Sequence, residues 1–418
     1  MPTRRQFLTR GALASGGAFL SARLALAGAG AAPGARRPRF VLIIMRGALD
    51  GLAVVPPYGD RDYAALRREF ALRAPGEAGG ALALDGFFGL HPSLKFLGGC
   101  YATRELVVLH ALASPYRERS HFDGQDVLEN GTPHPHALQT GWLNRALAQL
   151  PAGRARESGV ALGQNVPLVM RGPAAVASWS PSRLGAPDED TLARLTDLYA
   201  GDALLATRLA DARATNAIAA EDSGDAMAPQ PPDRAAKPAL RPGAANNARY
   251  AEIVRAAAGF LRQGDGPQVA VFDTSGWDTH ANQGGAEGQL AGRLAALDAA
   301  LATLKQELGA AWNDTAVLTV TEFGRTAAIN GTRGTDHGTA TAAFLFGGAV
   351  AGGRVIANWP GLAPRSLYEG RDLAPTLDLR AALKGVLAEH LGVSARALAA
   401  EVFPDSERVK PLSGLLRA

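Results

Sequence analysis

Five stretches of the chain are apolar at consecutive positions rather than at alternate ones. They are "RFVLIIMRG" (39–47), "ELVVLHALA" (105–113), "PQVAVFDTSG" (267–276), "TAVLTVTEFG" (315–324) and, more weakly, "TAAFLFGGAV" (341–350). A strand with one wet face alternates, so a continuous apolar run fits a strand covered on both faces. Between them, apolar residues recur at helical spacing over 93–104, 142–150, 190–214, 248–263 and 288–309, and 380–392 reads as a late surface helix. This alternation predicts an α/β fold with a mainly parallel central sheet. The segment 221–247, rich in Pro, Ala and Gly and without periodicity, reads as a flexible insertion. Core-type strands lie on both sides of it, so residues 28–418 are expected to form one domain.

Composition changes this picture little. Of 418 residues, 47% are hydrophobic and 20% charged, which is ordinary for a globular chain with a large core. The amino terminus is different. "TRRQFLT", a weakly apolar Gly-rich stretch and "ALA" at 25–27 have the order of a twin-arginine signal peptide over residues 1–27. The apolar run, interrupted by Arg23, falls short of the roughly 20 residues a membrane span needs. The expectation is export by the Tat translocase to the periplasm or beyond.

The formal net charge of +4 rests on Arg4, Arg5, Arg10 and Arg23, four cations in a segment that holds no acid. The sequence pI of about 9.4 therefore gives no support for a nucleic-acid partner. Cys100 is the single cysteine, which excludes an intrachain disulfide and a Cys-type zinc site.

In parallel α/β sheets ligands bind beyond the carboxyl ends of the strands. There the sequence places Arg46 and Asp50, then Arg119, Ser120, His121 and Asp123, then Asp278 and His280, and finally Glu322, Arg325, Asp336 and His337. Mixed imidazole and carboxylate donors suit a divalent metal, with Zn or Mn favoured. Ser120, ahead of a short helix ending at Gly131, is a candidate nucleophile, with Arg46 and Arg119 as partners for an anionic group. Each residue also has a structural reading. Ser120 fits an N-cap, Asp50 a turn, and Glu322 a pair with Arg325. His134 and His136 read as surface loop residues, and His91, His110 and His390 as structural. No Walker A motif, dinucleotide fingerprint, G-x-S-x-G elbow or H-E-x-x-H motif is present.

The ordered set "LIIMRGALDGL", "RSHFDGQDVLENG", "GWL", "GWDTH", "TEFGRT" and "GTDHG", behind a twin-arginine signal, resembles the bacterial domain-of-unknown-function 1501 family. That family is regarded as related to the alkaline phosphatase and sulfatase superfamily. The resemblance implies a three-layer, alkaline-phosphatase-like sandwich and a metal-assisted hydrolase of small anionic phosphate or sulfate esters. By the same resemblance, Asp50, Asp278, His280, Glu322, Asp336 and His337 are metal ligands. Ser120 is the nucleophile, or His121 fills that role. Two departures stand out: only Thr279 separates Asp278 from His280, and Phe323 stands where a histidine ligand is usual. They imply one ion rather than two, or a remnant site in a non-catalytic binding protein. The family also implies a companion exported protein. In this reading Glu322 faces a metal, or His280 and His337.

Overall fold

Residues 37–151, 158–181, 189–221 and 242–417 are described by the structure, a computed structural model. The expected signal peptide at 1–27 lies outside them. The continuous apolar runs are strands. Arg39–Arg46 form β1, Leu106–Ala113 β2, Gly159–Leu162 β3, Val176–Trp179 β4, Val269–Ser275 β5, Thr315–Val320 β6, Thr341–Phe346 β7, Arg354–Ile356 β8 and Leu377–Asp378 β9. They build one sheet in the order β8-β2-β7-β6-β1-β5-β3-β4, with β9 also pairing β2. Only β7 runs against its neighbours, β2 and β6; the other pairings are parallel. The sheet is thus mainly parallel, as expected.

The helices used below are α1 (Gly51–Val54), α2 (Tyr63–Arg67), α3 (Lys95–Ala102), α4 (His121–Asn130), α5 (Trp142–Leu147), α6 (Glu189–Tyr199), α7 (Ala203–Glu221), α8 (Pro242–Arg262), α9 (Gln289–Leu308) and α10 (Leu379–Leu391). Strand β1 shows why the apolar runs are unbroken. Val41, Ile43 and Met45 point into one core with Val254, Leu261, Leu294 and Leu301 of α8 and α9. Phe40, Leu42 and Ile44 point into a second core with Trp142, Leu143, Leu383 and Leu387 of α5 and α10. With helices on both faces, no position of β1 is free to be polar, and the domain is a three-layer α/β/α sandwich.

Several boundaries differ from the sequence reading, each for a local reason. The helix over 190–214 breaks at Gly201, and the Asp202 carboxylate accepts the amides of Leu204 (2.9 Å) and Leu205 (3.1 Å) to start α7. Helix α8 begins at Pro242, inside the expected loop, where proline suits a first helical turn; residues 222–241 lie outside the described residues. The expected surface helix 380–392 is a core helix instead. Its Leu379–Leu387 are all buried, including Lys384, whose ammonium donates to the carbonyls of Ser406 (2.7 Å) and Val409 (3.0 Å). Strands β3, β4, β8 and β9 have two to four residues each, too few to show a period.

Buried Asp298 links two helices of one layer. From α9 its carboxylate accepts the amides of Phe96 (2.7 Å) and Leu97 (3.1 Å), two of the unpaired donors at the start of α3. Asp298→Ala leaves these amides unsatisfied and is expected to cost about 1–2 kcal/mol. The urea midpoint of the variant against the parent chain measures this, and an unchanged midpoint contradicts the assignment.

Candidate functional site

The topology brings the candidate residues to one edge. Strands β2, β6, β1 and β5 all run the same way, so the segments after their last residues share that edge. Antiparallel β7 starts where β6 ends, and the connection 321–340 therefore leaves and returns at this edge without a crossover helix. Glu322, Arg325, Asp336 and His337 arrive on that one loop. Helix α4 follows β2 and brings His121; the turn after β5 brings Asp278 and His280.

Glu322 does not meet His280, His337 or Arg325. Its carboxylate, wholly buried, accepts from the Gly47 amide (2.8 Å), Gln125 Nε2 (3.2 Å) and the Thr321 hydroxyl (3.0 Å), and lies 2.8 Å from His121 Nδ1. Burial opposes its ionisation, yet the hydrogen bonds from His121, Gln125 and Gly47 hold it below the usual carboxylate range. An ionised Glu322 can only accept, so His121 donates from Nδ1 and carries its lone pair, when neutral, on Nε2. The hydrogen bond to Glu322 outweighs burial and raises the His121 pKa. The ring stacks on Phe323, 5.0 Å between centroids.

His337 is oriented the same way by another group. Its Nδ1 is 2.9 Å from the Arg119 carbonyl, which can only accept, so its Nε2 is also the lone-pair nitrogen. Burial, then repulsion by His121, lowers the His337 pKa and favours its neutral form. Asp278 lies between the two rings: Oδ2 is 3.4 Å from His121 Nε2 and Oδ1 is 3.4 Å from His337 Nε2. Burial works against the Asp278 charge, but buried Arg325, which donates to Oδ1, outweighs it and keeps the carboxyl below its usual range.

These donors fit a divalent cation. One atom each from His121, Asp278 and His337 lies within 4.8 Å of the other two. His121 Nε2 is buried and makes no hydrogen bond, Asp278 being near but outside hydrogen-bonding geometry, so a polar atom aimed into the cluster is left unpaired. Imidazole ligands held at Nδ1 by a carboxylate and by a backbone carbonyl are the usual outer support of metal-bound histidines. His280 adjoins the cluster, with Nε2 3.0 Å from His337 Nε2 and 3.1 Å from Asp278 Oδ1. Its Nδ1 is 3.4 Å from Asp336 Oδ1, which also accepts from Asn330 at 2.9 Å.

The other candidates are placed apart or already engaged. Asp50 is the N-cap of α1, accepting from the Ala53 amide at 3.1 Å. Its other oxygen is bound by Arg67 and by Gln283 (2.6 Å), with Asp50 and Arg67 both fully buried. Ser120 occupies the N-cap position of α4 and makes no capping bond. Arg46 contacts Glu129 (2.8 Å), Asp273 (2.8 Å) and Gln125 (3.0 Å). Arg119 contacts Asp372 (2.8 Å) and Glu369 (2.6 Å). His136 is exposed near Asp123 and Asp126. His91, His110 and His390 each bond a backbone carbonyl, and burial lowers the His110 pKa to about 4.

Gln125, Arg67 and Gln283 were not singled out in the sequence. Gln125 had a signal, since it follows His121 by four positions on one helix and so shares its face. Arg67 and Gln283 had none, because only the tertiary fold brings them to Asp50.

The model of the family described as Protein of unknown function (DUF1501) matches residues 105–402, more than half of the chain, and the chain belongs to that family. No curated protein matches the sequence. Among solved structures, the chain is similar to Ps i-CgsB in complex with k-i-k-neocarrahexaose, at 10% identity and a TM-score of 0.40, over 90% of this chain and 75% of that one. It is also similar to the phosphonate monoester hydrolase of Agrobacterium radiobacter, at 11% identity and a TM-score of 0.36, over 77% and 70% of the two chains. A third is a TAB5 alkaline phosphatase mutant with Mg bound in its M3 site, at 12% identity and a TM-score of 0.34, over 75% and 92%. No helix among the described residues is long and apolar enough to cross a membrane.

The Asp50–Arg67 pair has a measurable consequence. Arg67→Met strands a buried carboxylate and is expected to cost about 3–5 kcal/mol in urea denaturation. Metal content per folded chain is expected to stay that of the parent. A selective loss of metal with stability preserved would make Asp50 a ligand instead.

Proposed function

We propose that the chain is a metal-assisted hydrolase of phosphate or sulfate esters that holds one divalent ion, Zn or Mn, on His121, Asp278 and His337. One observation carries this reading: two imidazoles locked at Nδ1 turn their Nε2 atoms toward a shared carboxylate, and His121 Nε2 has no other partner. Three protein ligands at a solvent-reaching site leave a coordination position open, as in catalytic rather than structural centres. When bound, such an ion supplies Lewis acidity and lowers the pKa of bound water.

The chain's own groups take the remaining roles. Glu322 fixes the His121 ring, and Gln125 fixes Glu322. Arg325 holds Asp278 ionised and turned toward the two rings. Ser120, with no capping bond, stands beside His121 as the candidate nucleophile. Arg46 and Arg119 are engaged by carboxylates, so the anionic ester oxygens are assigned to the first-turn amides of α4 and to His280, which is half exposed. In this reading the twin-arginine segment sends the chain through the Tat translocase to the periplasm or outside the cell, where a companion exported protein is a partner.

A second reading is a binding protein with a remnant centre. Asp50 is neutralised by Arg67, which removes one carboxylate from a two-ion set, and Arg325 occupies one oxygen of a second, Asp278.

Elemental analysis of the chain purified without chelators separates the two. The hydrolase reading expects about one equivalent of Zn or Mn, none in Asp278→Ala, and turnover of p-nitrophenyl phosphate or sulfate by the parent chain. Glu322→Gln is expected to weaken metal affinity by about 10–100-fold while the fold is kept. Absence of metal after titration with both ions leaves the binding protein as the reading.

A further inference from the structure

A cavity of about 530 Å³, within the range of small-molecule sites, lies along α4 at Phe122, Gln125, Asp126 and Glu129, and the reading above assigns it no ligand. Its walls come from α4 and from the loop 163–167 that follows β3 at the same carboxyl edge. Phe122 stands at its rim with 86% of its surface exposed, next in sequence to His121. A large aromatic ring so exposed on an ordered helix lacks a packing role in the described structure. Gln164 and Asn165 bring two exposed amides to the wall, and neither side chain has a hydrogen-bond partner among the described residues.

The formal charge on the wall balances, with Arg46, Arg171 and Arg249 against Asp126, Glu129 and Asp273 and with His136 beside Asp126. Such a wall makes no demand for a charged ligand, and a wholly apolar one would desolvate the amides and charges without replacing their hydrogen bonds. The suitable occupant is neutral, carries many groups that both donate and accept, and has an apolar face to lie on a ring. That is a pyranose. Amides and guanidinium–carboxylate pairs offer a donor and an acceptor side by side, which matches neighbouring hydroxyls, and the C–H face of the ring suits Phe122.

We propose that this cavity binds a sugar unit, and that the esters acted on at the neighbouring centre are therefore esters of carbohydrates. The second half rests on the hydrolase reading; the first does not. The two sites share a hydrogen-bond path. Arg46, in the cavity wall, donates to Gln125 Oε1 at 3.0 Å, and Gln125 Nε2 donates at 3.2 Å to Glu322, the carboxylate that orients His121.

Saturation-transfer NMR and calorimetry test the assignment on the full chain, with and without added Zn. The probes are methyl β-galactoside, methyl α-glucoside, methyl α-mannoside and N-acetylglucosamine. At least one is expected to bind in both conditions. Phe122→Ala should weaken it on the order of tenfold, and Gln164→Ala should weaken it as well, with melting temperature and metal uptake unchanged. If no probe binds, or if binding survives both substitutions intact, the cavity is not a sugar site. Sugar binding without ester turnover overturns the hydrolase reading and leaves the cavity assignment standing. Turnover of p-nitrophenyl esters without sugar binding overturns the cavity assignment alone.

Discussion

A charged carboxylate at zero exposure, that of Glu322, is the constraint on which the carboxyl edge depends. Taking an ion of this size out of water costs several kcal/mol after relaxation, and only close donors offset it. The donors come from the turn after β1, the end of β6 and two positions of α4. Glu322 therefore ties two central strands to a helix that follows a strand two places away. Each of those elements must be in place before the charge is tolerable, and the same bonds that stabilise it set the direction of the His121 ring.

Arginines divide the remaining acid. Arg67 closes Asp50 inside the protein, while Arg325 holds one oxygen of Asp278 and leaves the other beside His121. The first arrangement withdraws a carboxylate from the edge; the second keeps one there ionised. The outcome is a cluster with two imidazoles and one carboxylate at its centre, which suits a single ion better than a pair. His280 and Asp336 form its exposed margin.

The layered α/β class was legible because β1 is buried on both faces, which forces an unbroken apolar run. The edge was legible too, since Asp278, His280, Glu322 and His337 all follow strands of that kind. What the chain alone did not reveal was pairing. "TEFGR" places Glu322 and Arg325 three apart, yet a buried fold gives each a different partner, 201 positions away for Glu322 and 47 for Arg325. Asp50, in "ALDG", carries no mark of an arginine that reaches it only through α2. The helix 380–392 reads as a surface helix, but its lysine is satisfied by carbonyls inside the protein.

The reversed strand β7 sets the reach of the contacts at the edge as well as a direction. Because its connection from β6 returns to the same edge, Arg325 and Thr335 meet across only 10 positions. His337 and Arg119, by contrast, are joined across 218 positions. The loop thus supplies only part of the donors, and the full set exists only where the segments after β2 and β5 lie beside it. Any ion held there would be a reporter of completed folding.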